Sequence, residues 1–148
     1  MRNNKSSLFF FIILLIWYSL IFFDIPRLTT EGNASVFSLL GLLEFLLLIV
    51  LVAYLKNWKY TDYLNLSILL LWAVLQYQGN WKYFLFPPST DVLESYYEHF
   101  QGTLRILAES ETRIIPDAYH IILGLLLLLN IINVVVKIIR DLANNSHS

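Results

Sequence analysis

Four long apolar segments, separated by charged or polar connections, dominate the sequence. They span residues 8–23, 36–55, 64–78 and 118–139. A helix needs about 20 mostly apolar residues to cross the roughly 30 Å of hydrocarbon in a bilayer. Aromatic residues at the ends of the shorter first and third segments can extend them into the headgroup zone. We therefore predict an all-α integral membrane protein, a four-transmembrane-helix bundle that forms a single membrane domain over residues 1–148.

The composition agrees with this fold class. Hydrophobic residues make up 57% of the chain and charged residues 14%, and the mean hydropathy is +0.62, which exceeds the apolar content of ordinary soluble domains. The net charge of -1 and the lack of a basic patch argue against nucleic acid as a partner. The absence of cysteine excludes disulfides, thiolate metal sites and thiol catalysis.

The first apolar segment also has an alternative interpretation as a cleaved signal peptide, because Arg2 and Lys5 precede it. The nearest small-residue cleavage site, at residues 32–34, lies well beyond the end of the apolar run at Phe23. Signal peptidase requires a closer site. We therefore expect this segment to remain as a transmembrane helix.

The distribution of charge predicts the orientation. Basic residues predominate at the N-terminus, in the second connection and at the C-terminus: Arg2, Lys5, Lys56, Lys59, Lys137 and Arg140. Acidic residues predominate in the first and third connections: Asp24, Glu31, Asp91, Glu94, Glu98, Glu109, Glu111 and Asp117. Because basic flanks are retained on the cytoplasmic side, we predict a multi-pass plasma-membrane protein with both termini in the cytoplasm.

The third connection, residues 79–117, is too long for a simple turn. Pro87 and Pro88 end the third segment, and Asp91 followed by Glu94 approximates a capping box. We predict an extracytoplasmic amphipathic helix over residues 92–109. Its apolar stripe comprises Leu93, Tyr96, Tyr97, Phe100, Leu104 and Leu107. Such a helix can cap the bundle, lie on the membrane surface or receive another protein, and we favour the cap.

Ionisable residues within the apolar segments are the candidate functional groups, because they are costly inside a membrane. Glu44 lies in the second segment, and His120 and Asp117 lie at the start of the fourth. In the predicted topology these residues and Gln76 all fall in the outer half of the bilayer. We therefore predict a polar site formed by Glu44, Gln76, Asp117 and His120, against the alternative that each only joins helices by hydrogen bonds.

Other polar or small residues in the segments favour helix packing. Asn130 and Asn133 lie three residues apart in the inner half of the fourth segment, where they predict hydrogen bonds between helices. Ser38 and Gly41 form a small-residue edge on the second segment, and Gly124 permits a close approach on the fourth. These residues are typical of packing rather than of a ligand site.

The sequence contains no phosphate-binding loop, nucleophile elbow or two-histidine zinc helix. Enzyme activity is therefore not the expected function. His99, His120, Glu44 and Asp117 lack metal-ligand spacing, so we predict neither a metal nor a cofactor. The glycosylation sequence at Asn33 is too common by chance to carry weight.

Two functions remain in competition. The first is an accessory or interaction subunit of a membrane assembly, whose partners are the lipid bilayer and another membrane protein or a second copy. The alternative is a lipid- or small-solute-binding protein, a transporter or an enzyme, with an outward-facing site in which Glu44 carries a proton or acts as a base and His120 is its partner. The sequence does not discriminate these from a stress protein that acts by occupying the membrane.

Overall fold

The computed structural model describes residues 5–23, 25–28 and 38–145. Several residues of the sequence argument lie outside these ranges. They are Arg2, Asp24, Glu31, the glycosylation sequence at Asn33, and Val36 at the predicted start of the second segment.

The described chain is mostly helical and contains no strand. Its helices are α1 (Lys5–Ser19), α2 (Leu39–Leu55), α3 (Thr61–Gln76), α4 (Lys82–Leu85), α5 (Thr90–His99) and α6 (Ala118–Asn145). A 3₁₀ turn, Leu20–Phe22, follows α1, and a π-helical turn, Tyr77–Trp81, joins α3 to α4. The helical path that begins at Thr61 therefore continues past the predicted end at residue 78, and stops at Leu85 before the two prolines.

The four longest helices pack in a ring, in which α1 and α3 each contact both α2 and α6. Neighbours are antiparallel: Tyr18, near the end of α1, donates a hydrogen bond to the carbonyl of Leu40 at the start of α2, 3.0 Å away. Lys137, near the end of α6, pairs with Asp62 at the start of α3. The bundle thus has a hairpin end, with residues 55–62, and a loop end, with residues 79–117.

Apolar side chains occupy both the inside and the outside of the ring. The buried core includes Phe11, Leu14, Leu47, Val50, Leu69, Trp72, Leu123 and Val134. The outward faces expose Phe9, Ile16, Phe45, Val52, Leu70, Val74, Leu125 and Ile132. Among the described helices, α6 alone is long and apolar enough to cross a membrane, and the apolar helices Ser6–Phe22 and Leu39–Leu55 are shorter.

A buried ion pair closes the hairpin end. Lys137 Nζ lies 2.9 Å from Asp62 Oδ1 and 2.8 Å from Oδ2, and Asp62 is only 2% exposed. Tyr54 donates to Asp62 Oδ1 at 3.3 Å, and Asn65 donates to the Tyr54 hydroxyl at 2.9 Å. One carboxylate therefore joins α2, α3 and α6. Removing one partner of such a pair leaves the other charge buried, which is far more costly than its net contribution.

Asparagine side chains fasten α1 to α6. Asn130 Nδ2 donates to the carbonyl of Phe10 at 3.1 Å, and Asn133 Nδ2 donates to Ser7 Oγ at 3.4 Å. Toward the loop end, Trp17 Nε1 donates to the carbonyl of Tyr119 at 3.3 Å. The two helices are thus joined by polar contacts along most of α1.

The amphipathic helix of the third connection is shorter than predicted: α5 ends at His99, and residues 103–117 form no helix. Gly102 adopts a left-handed backbone conformation with φ +83°, which other residues disfavour. Thr103 turns back to the carbonyl of Phe100 through both its amide and its hydroxyl. The apolar repeat beyond His99 suggested a helix, but the glycine ends it.

Gly124 on α6 lies against the indole of Trp81. A Cβ at this position would meet Trp81 Cζ2 at 2.9 Å. Overpacking costs about 1–3 kcal/mol and helix propensity returns about 1 kcal/mol, so we expect Gly124→Ala to destabilise the bundle by up to about 2 kcal/mol. Denaturant unfolding in detergent, followed by circular dichroism, measures this change.

Gly79→Ala is the matched control, because no atom lies within 4 Å of the added Cβ. We expect it to be neutral or to stabilise by up to about 1 kcal/mol through helix propensity. Combining Gly124→Ala with Trp81→Phe should restore stability. Equal effects of the two alanine variants would contradict the contact.

Candidate functional site at the loop end

A cavity of about 380 Å³ lies at the loop end, where α1, α2, α3, α5 and α6 come together. Its apolar lining includes Tyr18, Leu40, Leu43, Trp72, Tyr119 and Leu123. Its polar lining is Gln76, Asn80, His99, Asp117 and His120. Leu43, Trp72 and Leu123 lie farther from the helix ends than Asp117 and Asn80, so the cavity is polar towards the third connection and apolar towards the bundle core.

Asp117 and His120 form a linked pair in the wall of this cavity. Asp117 Oδ1 accepts the backbone N–H of His120 at 3.0 Å, which caps the first turn of α6. The same oxygen lies 2.7 Å from Nδ1 of the His120 ring. The Asp117 side chain is 2% exposed and that of His120 is 12% exposed. The carboxylate thus fixes the imidazole by binding one of its two nitrogens, leaving Nε2 on the other side of the ring.

The π-helical turn shapes the opposite wall. The amide of Lys82 bonds to the carbonyl of Tyr77, five residues earlier, so this turn contains one residue more than an α-helical turn. Within it, Asn80 Nδ2 donates to Gln76 Oε1 at 3.1 Å. This bond orders the two amides and leaves Gln76 Nε2 as a donor and Asn80 Oδ1 as an acceptor.

The third connection folds over the loop end around the hydroxyl of Tyr97. This hydroxyl donates to the carbonyl of Arg113 at 2.8 Å and lies 3.3 Å from the backbone nitrogens of both Ser110 and Ile115. The Arg105 guanidinium lies over the Tyr97 ring at 4.8 Å and donates to the carbonyl of Ile115 at 2.8 Å. The connection is therefore held by its own hydrogen bonds.

Aromatic contacts attach α5 to the start of α6. Phe100 lies edge-on to His120 with ring centres 5.5 Å apart, and the Tyr96 ring lies 4.5 Å from Phe100. Burial raises the pKa of the Tyr96 hydroxyl, and the nearby negative charge of Asp117 adds to the rise. The carboxylate therefore faces a largely dehydrated cluster of rings.

Of the four predicted site residues, the structure brings Gln76, Asp117 and His120 to one cavity and leaves Glu44 apart. Ser19 Oγ donates to Glu44 Oε1 at 2.7 Å, and Oε2 is buried with no hydrogen-bond partner among the described residues. Glu44 lines a different groove, on the outer side of α2 beside Ser38 and Gly41. The hydroxyl of Ser38 accepts the amide of Gly41 at 3.4 Å and so caps α2.

Sequence reasoning missed Asn80 as a cavity residue and the pairing of Asp62 with Lys137. Asn80 follows Gly79, which indicates only a turn, and the π-helical turn that directs it to the cavity has no sequence signal. Asp62 and Lys137 belong to different helices far apart in the chain. In the described ranges, no three His, Asp or Glu side chains form a group that could hold a metal ion.

No protein-family model, curated protein or solved structure matches the chain. Its function must therefore be argued from the cavity and the side chains around it.

Tyr97→Phe should loosen the third connection, because it removes the hydroxyl on which Arg113, Ser110 and Ile115 converge. Losing these part-buried hydrogen bonds costs about 1.5 kcal/mol, which corresponds to roughly tenfold more frequent local opening. Limited trypsin digestion in detergent should show faster cleavage after Arg113, with the helical circular dichroism unchanged.

Tyr96→Phe is the control at the adjacent position, because the Tyr96 hydroxyl makes none of the hydrogen bonds to Arg113, Ser110 and Ile115 that hold the connection. Its removal should leave the cleavage rate within about twofold of the original. If both variants were cleaved at the same rate as the original chain, the hydroxyl of Tyr97 would not hold the connection.

Proposed function

We propose that this chain is a four-span membrane protein that binds a small amphipathic molecule in the loop-end cavity. The main support for this proposal is the cavity itself. Its volume of about 380 Å³ falls within the roughly 300–1,000 Å³ of small-molecule sites, which combine apolar walls with a few polar groups that orient the ligand. This cavity has that division, with Trp72 and Leu43 towards the core and Asp117 and His120 near the loops.

The outward faces support four spans. Exposed apolar residues surround the ring on all four long helices, and water would destabilise such a surface whereas lipid would not. At 1.5 Å per residue, Ser6–Phe22 and α2 are each about 25 Å long, and Thr61–Trp81 is about 31 Å long. These lengths approach the hydrocarbon thickness, and local thinning or interfacial aromatic residues accommodate the remainder.

Charge at the two ends supports the orientation predicted from sequence. The hairpin end exposes Lys56 and Lys59, with Arg140 on the last turns of α6. The loop end exposes Asp91, Glu94, Glu98, Glu109 and Glu111. By the positive-inside rule, the hairpin end and both termini face the cytoplasm of a plasma membrane. The cavity then opens on the outer half of the bilayer.

The role of accessory subunit stays a prediction, whereas the cavity gives the ligand-binding alternative specific support. Within that alternative, the polar group of the ligand is assigned to Asp117 and His120. Glu44 faces Ser19 between α1 and α2, so its predicted part as a proton carrier in the same site has no support from this geometry.

The orientation can be tested directly, because the chain has no cysteine. Single substitutions at exposed positions of opposite ends, Glu98→Cys and Lys59→Cys, provide matched probes. A membrane-impermeant maleimide should label Glu98→Cys in intact cells, and should label Lys59→Cys only after permeabilisation. Equal labelling of both in intact cells would contradict the four-span arrangement.

Leu123→Trp tests the cavity. Leu123 lines the cavity and is 1% exposed, so a larger ring there should occupy the space and lower affinity for 4-phenylbutan-1-ol at least about tenfold, or 1.4 kcal/mol. Saturation-transfer NMR on detergent-solubilised protein measures binding, with protein-free micelles as background. Leu43→Phe provides a smaller filling substitution.

Leu125→Trp is the control, because Leu125 lies on the same helix but is 57% exposed on the outer face. It should leave the affinity unchanged. Similar binding to both tryptophan variants, or no binding to the original chain, would refute ligand binding in this cavity.

A further inference from the structure

We infer that the cavity selects an amphipathic molecule whose polar end is a cationic amine. This inference rests on the proposed ligand-binding function and specifies its ligand. The described lining contains one carboxylate, Asp117, and no lysine or arginine. A positively charged head is therefore the group whose charge this lining complements.

Asp117 retains one oxygen for a ligand. Both hydrogen bonds of its side chain within the described chain, from the amide and the ring of His120, use Oδ1. Oδ2 makes no hydrogen bond to the described residues, and it is not among their fully buried, unsatisfied atoms. A carboxylate that is almost dehydrated and only half-satisfied gains most from a charged donor, because such hydrogen bonds are roughly twice as strong as neutral ones.

His120 adds a second acceptor. When the imidazole is neutral and Nδ1–H donates to Asp117, Nε2 carries a lone pair. Nε2 makes no hydrogen bond to the described residues, and the ring lines the cavity. Because Nε2 points away from Asp117, it is a separate acceptor, available to a second donor of the ligand or to water while the ammonium bonds to Asp117 Oδ2. The amide oxygen of Asn80 in the same lining is a further acceptor.

The apolar part of the cavity fits the rest of such a molecule. Tyr18, Trp72 and Tyr119 line it with Leu43 and Leu123. Aromatic rings provide apolar surface that also attracts cations. Leu123 lies six residues along α6 from Asp117, about 9 Å deeper into the bundle. A tail a few carbons long with a terminal ring spans this distance when its amine lies beside Asp117.

Anionic heads are disfavoured. Helix N-termini bind anions through free N–H groups, but at the start of α6 Asp117 already accepts the amide of His120, so an anion there would meet a carboxylate. Arg105, a basic side chain of the connection, is outside the cavity lining and pairs with Glu109 at 3.0 Å. His99, also in the lining, is exposed.

Three probes that share a tail and differ in the charge of the head test this inference at pH 7: 4-phenylbutylamine, 4-phenylbutan-1-ol and 4-phenylbutyrate. We expect the amine to bind the intact, detergent-solubilised chain about tenfold or more tightly than the alcohol, and the carboxylate most weakly. Asp117→Asn, which retains a capping side chain, removes the negative charge and should bring the amine to within about twofold of the alcohol measured on the same variant.

Glu98→Gln is the charge-matched control, since it removes an exposed carboxylate from the same end of the protein without altering the cavity lining. It should preserve the preference for the amine. His120→Gln, which can still accept a hydrogen bond, should reduce the preference less than Asp117→Asn does.

The outcomes separate this inference from the proposed function. Equal affinity for all three probes, or a preference for the carboxylate, would overturn the cationic ligand while leaving the cavity as a binding site. If the Asp117→Asn variant still preferred the amine, the charge that selects it would lie elsewhere. That result would also overturn the inference. Binding of none of the probes would refute the proposed function itself.

Discussion

The few hydrogen bonds and ion pairs between helices determine how this bundle is assembled. A helix that is apolar on every side has no amphipathic face to fix its rotation, and in lipid its outward face gains nothing by turning inward. On α2 and α6 both faces are apolar, so rotation must be set by polar side chains. The rotation of α2, α3 and α6 is set by the contacts of Asp62 with Lys137 and Tyr54, and by the hydrogen bond from Asn65 to Tyr54.

The two ends of the bundle use polar groups in different ways. At the hairpin end, Asp62 and Lys137 bind each other, and their charges balance inside the bundle. At the loop end, Asp117 holds His120 through a single oxygen, and the described cavity lining contains no lysine or arginine. The extra residue in the π-helical turn and the folded third connection complete that cavity. The difference supports a structural role for the first pair and a binding role for the second.

Much of the architecture could be predicted from the sequence because it depends on local properties. Apolar run length predicts the long helices, and Pro87 marks the stop of the helical path at Leu85. The prediction of α5 extended ten residues too far because the apolar repeat continues past Gly102, and periodicity does not register the backbone conformation that a glycine adopts. Gln76, Asp117 and His120 were predicted near one another from their shared depth, a property that the lengths of the segments already determine.

Depth along the bundle alone could not distinguish Glu44 from Gln76, Asp117 and His120. Two residues at the same depth can face the centre of the ring or the gap between two helices, and that choice depends on the rotation of α1 and α2 against each other. The sequence by itself therefore determined the helical class, the apolar character of the segments and the unequal distribution of charge between the connections. Only the tertiary structure decided which polar groups meet across the bundle, such as Asp62 with Lys137 and Ser19 with Glu44, because those contacts join residues on different helices and follow from packing that no local pattern encodes.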